Sequence, residues 1–212
     1  MKIAKEGYTI LLTIAIAMVF SFLFNIKFLA VILLILLLFS LYFFRDPKRF
    51  RPLSENFIVS PADGKVIEIK KLFSEKLQEE SYKISIFMSV FDVHFNRLPY
   101  RGVILKKDYR KGKFFNASLD KASEDNEKMI YYVDSTKFKY TVTQIAGLIA
   151  RRIVSYPNSG EELNTSDKLG IIKFGSRAEI EIPQNIIDIN ISVGQQVYAG
   201  ESIIGSIKGS LL

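Results

Sequence analysis

The 212-residue chain has no Cys, no Trp and a single His. Without Cys there is no disulfide framework, no thiol nucleophile and no thiolate-bound zinc or iron–sulfur centre. One His cannot build a His-rich metal site. Any catalysis therefore falls to Ser or Thr, carboxylates, Lys, Tyr, that one His, or a group that the sequence does not spell out. Acidic side chains are also the minority, 22 against 29 basic, which gives a formal net charge of +7. The length suits one domain of moderate size with an appendage, large enough to bury a core without covalent staples.

Hydrophobic residues make up 49% of the chain, and they are unevenly spread. From Tyr8 to Phe44, 37 residues carry one charge, Lys27. The run divides near Asn25-Ile26-Lys27 into two 17-residue apolar halves. A span needs about 20 residues, so each half is marginal and the pair reads as a helical hairpin over residues 1–44. It either crosses the bilayer twice or enters as a shallow re-entrant loop. Lys2 and Lys5 precede it and Arg45, Lys48, Arg49 and Arg51 follow it, which places both flanks on the cytoplasmic side. No small-residue cleavage pattern precedes a polar start, which argues against a cleaved signal peptide. The expected location is the cell membrane, with the soluble domain on its cytoplasmic face.

Pro47 and Pro52 end the apolar run, and the domain over residues 45–212 begins there. It reads mainly as strands. Gly64–Ile69, Tyr82–Phe87, Tyr131–Val133, Lys137–Val142 and Arg177–Ile182 alternate apolar with polar residues. Thr141–Val154 fits a strand or a short helix, with Gly147 against a simple choice. From Ile187 to Gly205 short strands alternate with glycine turns, as in one half of a hammerhead, and Pro61–Ile67 supplies a matching half. The expected fold is mainly β within the α+β class: a barrel-sandwich or hammerhead-like domain with short helices, preceded by the helical hairpin. A lipoyl or biotinyl carrier is disfavoured, because no Lys lies between Lys173 and Lys208 to serve as the attachment point.

Several residues could carry chemistry, and each has an ordinary reading beside it. His94 lies in Phe91–Pro99, where Asp92, His94 and Asn96 alternate with apolar neighbours; it is either a structural histidine on the polar face of a strand or a general base. Asp63 lies in the Ser60–Gly64 turn, where an Asp-Gly carboxylate commonly bonds its own backbone; the alternative is a catalytic role. Gly175-Ser176 joins two strands, either as a bulge or as a strained peptide whose carbonyl faces the next hydroxyl. The basic segment Lys106–Lys113 reads as a solvated loop or an anionic-lipid contact. Nucleic acid is not an expected partner, since much of the charge excess belongs to the membrane flank.

Six segments occur in order: Phe44–Arg49, Ser60–Val66, Phe91–Pro99, Gly112–Glu127, Gln144–Ile153 and Gly170–Arg177. Together they resemble the short bacterial (type A) form of the phosphatidylserine decarboxylase family, over roughly residues 44–208. The resemblance implies a self-processing, pyruvoyl-dependent carboxy-lyase of phospholipid biosynthesis that converts phosphatidylserine to phosphatidylethanolamine. Ser176 would attack the Gly175 carbonyl, and elimination would cut the chain into a β chain of residues 1–175 and an α chain of residues 176–212. Ser176 would become the pyruvoyl cofactor, which forms a Schiff base with the substrate amine; no metal is implied. In longer members an Asp of the matching Asp-Gly turn and two His of an H-x-x-H-x-P motif are assigned to these steps. Asp63 and His94 match the Asp and the first His, whereas Arg97 stands where the second His would be. The expectation is that His94, oriented by Asp63 or Asp92, is both base for Ser176 and later proton donor, and that Arg97 pairs with a carboxylate or phosphate. Phosphatidylserine in the membrane is the expected partner; the oligomeric state, a homo-oligomer included, is left open. The rivals are a pyruvoyl decarboxylase for a soluble amino acid and a tethered module without catalysis.

Overall fold

The apolar N-terminal run forms two helices, α1 (Tyr8–Leu23) and α2 (Lys27–Phe43), in a computed structural model that describes residues 2–117, 122, 125–147, 152–173 and 175–209. Asn25, at φ 57°, turns the chain between the helices in a conformation that Asn tolerates better than most residues. Two short strands, β1 (Lys2–Ile3) and β2 (Arg45–Asp46), pair antiparallel with Lys2 opposite Asp46. They tie together the two ends of the expected hairpin. Ser21 and Ser40 are the buried polar residues of the helices, whereas Phe22 and Phe28 are 77% and 79% exposed. Outward apolar surface of this extent is what a bilayer covers. The first helical stretch, Lys5–Leu23, is long and apolar enough to cross a membrane, whereas Lys27–Phe43 is shorter. At 1.5 Å per residue α1 and α2 reach about 24 and about 26 Å, against a hydrocarbon core of about 30 Å. Membrane association is thus supported by the first helix.

The chain divides into compact units between Lys48 and Arg49. The second unit holds β3 (Phe57–Val59), β4 (Gly64–Ser74), β5 (Glu79–Met88), β6 (Phe95–Arg97), β7 (Gly102–Arg110), β8 (Lys128–Asp134) and β9 (Lys139–Ala146). It continues through β10 (Ile153–Ser155), β11 (Glu162–Leu163), β12 (Lys168–Ile172), β13 (Ser176–Pro183), β14 (Ile187–Ile189), β15 (Gln196–Val197) and β16 (Ile203–Ile207). The large sheet has the order β11-β7-β8-β9-β13-β5-β4-β15, and two three-stranded sheets, β10-β12-β6 and β14-β16-β3, accompany it. One core serves all three sheets: Ile84, Ile86, Val142 and Ile180 from the large one meet Leu169 of β12 and Ile58 and Ile204 of β3 and β16. The expected β-rich class is what folds.

Two local readings change, and one open choice is decided. Lys106 and Lys107 lie in β7 and not in a loop, and the Lys107 ammonium donates to the Pro157 carbonyl at 2.5 Å. His94 precedes β6 and is fully buried, because the Asp92 carboxylate caps a turn by accepting from the Ser89 N–H (2.8 Å) and hydroxyl (2.7 Å). The segment from Thr141 is a strand to Ala146 and again from Ile153; residues 148–151 lie outside the described residues. In β13 the alternation is genuine, yet its charged face is buried too. Arg177 bonds Glu68 (3.1 Å) and Glu179 (2.9 Å), and Lys76 and Ser74 both hold Glu181 at 2.5 Å. Paired partners satisfy charges that alternation alone would have assigned to solvent.

Since Ile180 is fully buried at the centre of this core, Ile180→Ala should cost about 2–5 kcal/mol, measured as a lowered urea midpoint of the detergent-solubilised chain.

Candidate active site

Strand β13 begins with Ser176, which pairs with Met88 of β5 on one side and Ala146 of β9 on the other. Gly175, immediately before it, has φ +66°, a backbone conformation that costs a side-chain-bearing residue about 1–2 kcal/mol. The chain therefore turns sharply at the residue that precedes a rigidly held serine. A Cβ built on Gly147 would lie 2.3 Å from the Gly175 carbonyl oxygen, so the end of β9 approaches that carbonyl as only glycine allows. Asn126, fully buried, fixes this end of β9: its amide donates to the Ala146 carbonyl (2.7 Å) and exchanges bonds with the Phe115 N–H and carbonyl (2.8 Å each).

His94 faces the same peptide. Its Nδ1 lies 2.9 Å from the Asp92 carbonyl, and its Nε2 accepts the Gly175 N–H at 3.3 Å. A carbonyl can only accept, so Nδ1 carries the proton and Nε2 keeps the lone pair. The ring is thus presented as a neutral base toward the Gly175-Ser176 pair. The Ser176 hydroxyl, fully buried, has the Met88 sulfur as its partner at 3.3 Å. A thioether is a weak acceptor, and this hydroxyl is not committed to a strong hydrogen bond. The Met88 sulfur also receives the Asn96 amide (3.5 Å), and Asn96 connects through Gln144 (2.8 Å) to the Tyr131 hydroxyl (2.7 Å). Burial raises the Tyr131 phenol well above its ordinary range, so that it serves this chain as a neutral donor.

Asp63 is held differently from the local expectation. Ser60 closes its turn, donating to the Ala62 carbonyl at 2.6 Å. The Asp63 carboxylate instead accepts two bonds from Arg49 (2.6 and 2.8 Å) and the Ala199 N–H (2.8 Å). Among the described residues no hydrogen bond joins Asp63 to His94; the group on Nδ1 is the backbone carbonyl of Asp92. Burial raises the Asp63 carboxyl, against the opposing pull of Arg49. Arg49 also donates to Glu201 at 2.9 Å, and its side chain is only 7% exposed. It therefore belongs to the interior of this unit, not to a headgroup-facing basic flank. Burial alone would raise Glu201, but the Phe50 N–H and Arg49 outweigh it and hold the carboxyl below its ordinary value. Arg97 donates from Nη1 to the Ser166 carbonyl at 2.9 Å, and its charge contributes to lowering Glu201.

The structure thus brings Gly175, Ser176 and His94 together, with Asp63 and Arg97 in a neighbouring polar cluster around Arg49 and Glu201. Sequence reasoning missed Met88, Gln144, Asn126 and Gly147 as parts of the site. Gly147, Gln144 and Asn126 fall within segments that carry the family resemblance, but residue type alone does not mark a glycine, a thioether or a buried amide for such a role. Among the described residues no group of three or more His, Cys, Asp and Glu side chains is disposed to hold a metal ion.

A profile of the family described as phosphatidylserine decarboxylase matches residues 36–205. A phosphatidylserine decarboxylase proenzyme of Geotalea uraniireducens is 42% identical over 204 residues, covering 96% of this chain and 95% of that protein. The proenzyme of Syntrophus aciditrophicus is 43% identical over 207 residues (96% and 97%), and that of Pelagibacter ubique 43% over 208 (96% and 95%).

The Glu201 shift sets an acid limit. A carboxyl lowered in the folded state contributes stability that is complete above its ordinary value of 4.5 and is lost as the pH falls through the lowered one. Asp63, raised by burial, has the opposite sign and adds nothing to this loss. The urea midpoint of the parent should therefore fall between about pH 5 and 3 by more than that of Glu201→Gln, with the two curves parallel above that window.

Proposed function

The chain belongs to the phosphatidylserine decarboxylase family, and we propose that it makes phosphatidylethanolamine with a pyruvoyl group formed from its own Ser176. It is a decarboxylase proenzyme. In the proposed maturation the Ser176 oxygen bonds to the Gly175 carbonyl carbon, the C–N bond between the two residues breaks, and the hydroxyl proton passes to the freed nitrogen. Loss of the Ser176 Cα proton then breaks the Cβ–O bond and releases Gly175 as a carboxylate. Water replaces the nitrogen, which leaves as ammonia. The products are chains of residues 1–175 and 176–212.

One observation carries this reading: the lone pair on His94 Nε2 faces the Gly175 N–H, while the neighbouring Ser176 hydroxyl has only a thioether partner among the described residues. His94 is the proposed base for the hydroxyl and for the Cα proton. Gly147 leaves the space in which the Gly175 carbonyl rehybridises. The site also suits the product group: beyond Gly175 a Cβ would meet nothing within 4 Å, and Ser176 keeps its place through pairing on both sides of β13. The pyruvoyl carbonyl supplies the electrophile and electron sink for an amine whose carboxylate leaves as CO2. His94 would then return a proton to the substrate carbon. Arg97 is proposed to meet the lipid phosphate or carboxylate, and Asp63, neutralised by Arg49, to fix the wall through Ala199.

The C-terminal chain would stay bound without the peptide link. Its strands are woven into the rest: β13 between β5 and β9, β15 against β4, and β16 against β3. The proposed place of work is the cytoplasmic face of the cell membrane, where the basic flanks of the hairpin favour anionic lipid. A diacyl substrate resists leaving the bilayer by about 0.8 kcal/mol per buried methylene, so an enzyme at the interface has the advantage.

Ser176→Ala should remain one uncut chain by intact mass, and a cut product from that variant would refute the site. His94→Gln should slow cleavage by about 100-fold or more, followed on denaturing gels; cleavage and phosphatidylethanolamine formation at parental rates would remove His94 from the mechanism.

A further inference from the structure

Four apolar side chains stand exposed on turns and irregular segments that neighbour the site. Phe50 follows Arg49 and is 82% exposed; Tyr198 precedes Ala199 and is 50% exposed; Phe91 precedes Asp92 and is 64% exposed; Val193, at the tip of a turn, is 60% exposed. Polar contacts beneath them join the four into one perimeter. The Phe50 N–H donates to Glu201 at 2.9 Å, and the Arg49 guanidinium lies 6.0 Å from the Tyr198 ring. The Gln196 amide reaches the Asp92 carboxylate at 3.1 Å, and Gln196 pairs with Lys65 in the sheet. The turn carrying Val193 is anchored by the Gly194 N–H on the Val66 carbonyl at 2.8 Å. Two exposed cations, Arg51 and Lys65, share this edge.

A single exposed apolar residue is ordinary; four around one polar site, interleaved with cations, are not. Their tips are separate and do not form the continuous groove that a partner helix needs. Aromatic rings beside Lys and Arg suit the boundary between headgroups and acyl chains, and Arg51 and Lys65 complement anionic lipid. We propose that this rim is a bilayer-contact face of the second unit itself, distinct from the N-terminal hairpin. Phe50, Phe91, Val193 and Tyr198 enter the headgroup–acyl boundary of an anionic membrane, and Arg51 and Lys65 meet the lipid charges. The surface surrounds the site so that a headgroup reaches Ser176 while its acyl chains remain in the bilayer, which rests on the lipid substrate proposed above.

The absence of Trp makes the test direct. Phe50→Trp, Phe91→Trp and Tyr198→Trp each place one fluorophore on the rim of the full-length chain. Phe73→Trp places one on another exposed side chain, nine residues along β4 from Gly64 and about 30 Å from it. Each variant is reconstituted into vesicles of equal parts phosphatidylglycerol and phosphatidylcholine, with bromine on the phosphatidylcholine acyl chains. Rim emission should fall by about half relative to unbrominated vesicles, with little change for Phe73→Trp. Equal responses at the rim and at Phe73 would overturn the proposal. Rim fluorophores shielded both from brominated lipid and from aqueous acrylamide would also overturn it, since a protein surface would then cover them. Quenching does not depend on turnover: a quenched rim in a protein that fails to decarboxylate phosphatidylserine refutes the substrate and keeps the membrane face.

Discussion

Pairing on both sides of β13 from its first residue is the constraint on which the rest depends. Ser176 has Met88 on one flank and Ala146 on the other, so its position is set by the two neighbouring strands and not by a loop. Against that fixed point Gly175 turns the chain with φ +66°, and His94 and Gly147 approach from different parts of the molecule. A serine on a mobile turn would sample many orientations relative to the preceding carbonyl. Held in a central strand, it keeps one, which is the positioning that intramolecular attack requires. The same pairing explains how a cut before Ser176 is compatible with an intact sheet.

Charge inside the unit follows a consistent pattern of enclosure with partners. Arg49 bridges Asp63 and Glu201, Arg177 joins Glu68 and Glu179, and Lys76 holds Glu181. None of these groups is isolated, which is the condition under which a protein tolerates buried charge. Near Ser176 a run of hydrogen-bonding groups among the described residues is uncharged: a thioether, the amides of Asn96 and Gln144 and the phenol of Tyr131, with the His94 ring beyond them. Ion pairs frame the neighbourhood, and amides, a thioether and an imidazole lie around the Gly175-Ser176 peptide.

The two sources of apolar surface have different forms. The hairpin shows nearly continuous hydrocarbon along two helices, of a length close to one bilayer thickness. The second unit shows separate exposed tips, with Arg51 and Lys65 exposed beside them. Continuous surface favours insertion; interrupted surface favours contact at the interface, where aromatic rings and lysines both find suitable surroundings.

Much was legible in sequence because it depends on neighbours along the chain. Two 17-residue apolar halves broken at Asn25 mark the hairpin, period-two alternation marks β4, β5, β8, β9 and β13, and ordered motifs point to Gly175-Ser176 and His94. What stayed hidden depends on residues far apart. Alternation marks two faces of β13 but cannot say that the charged one is covered, since that follows from Lys76, Glu68 and Arg177 meeting across strands. Nothing local indicates that Asp63 would be taken by Arg49, that the Asp92 backbone carbonyl would meet His94 Nδ1, or that a methionine would face the serine. The sequence by itself determined the apolar hairpin, most of the strands and which residue types are available for chemistry, because hydrophobic period and residue type are local properties. Only the tertiary structure decided which of those residues touch, because hydrogen bonds and ion pairs between distant segments exist only once the sheets have closed around one core.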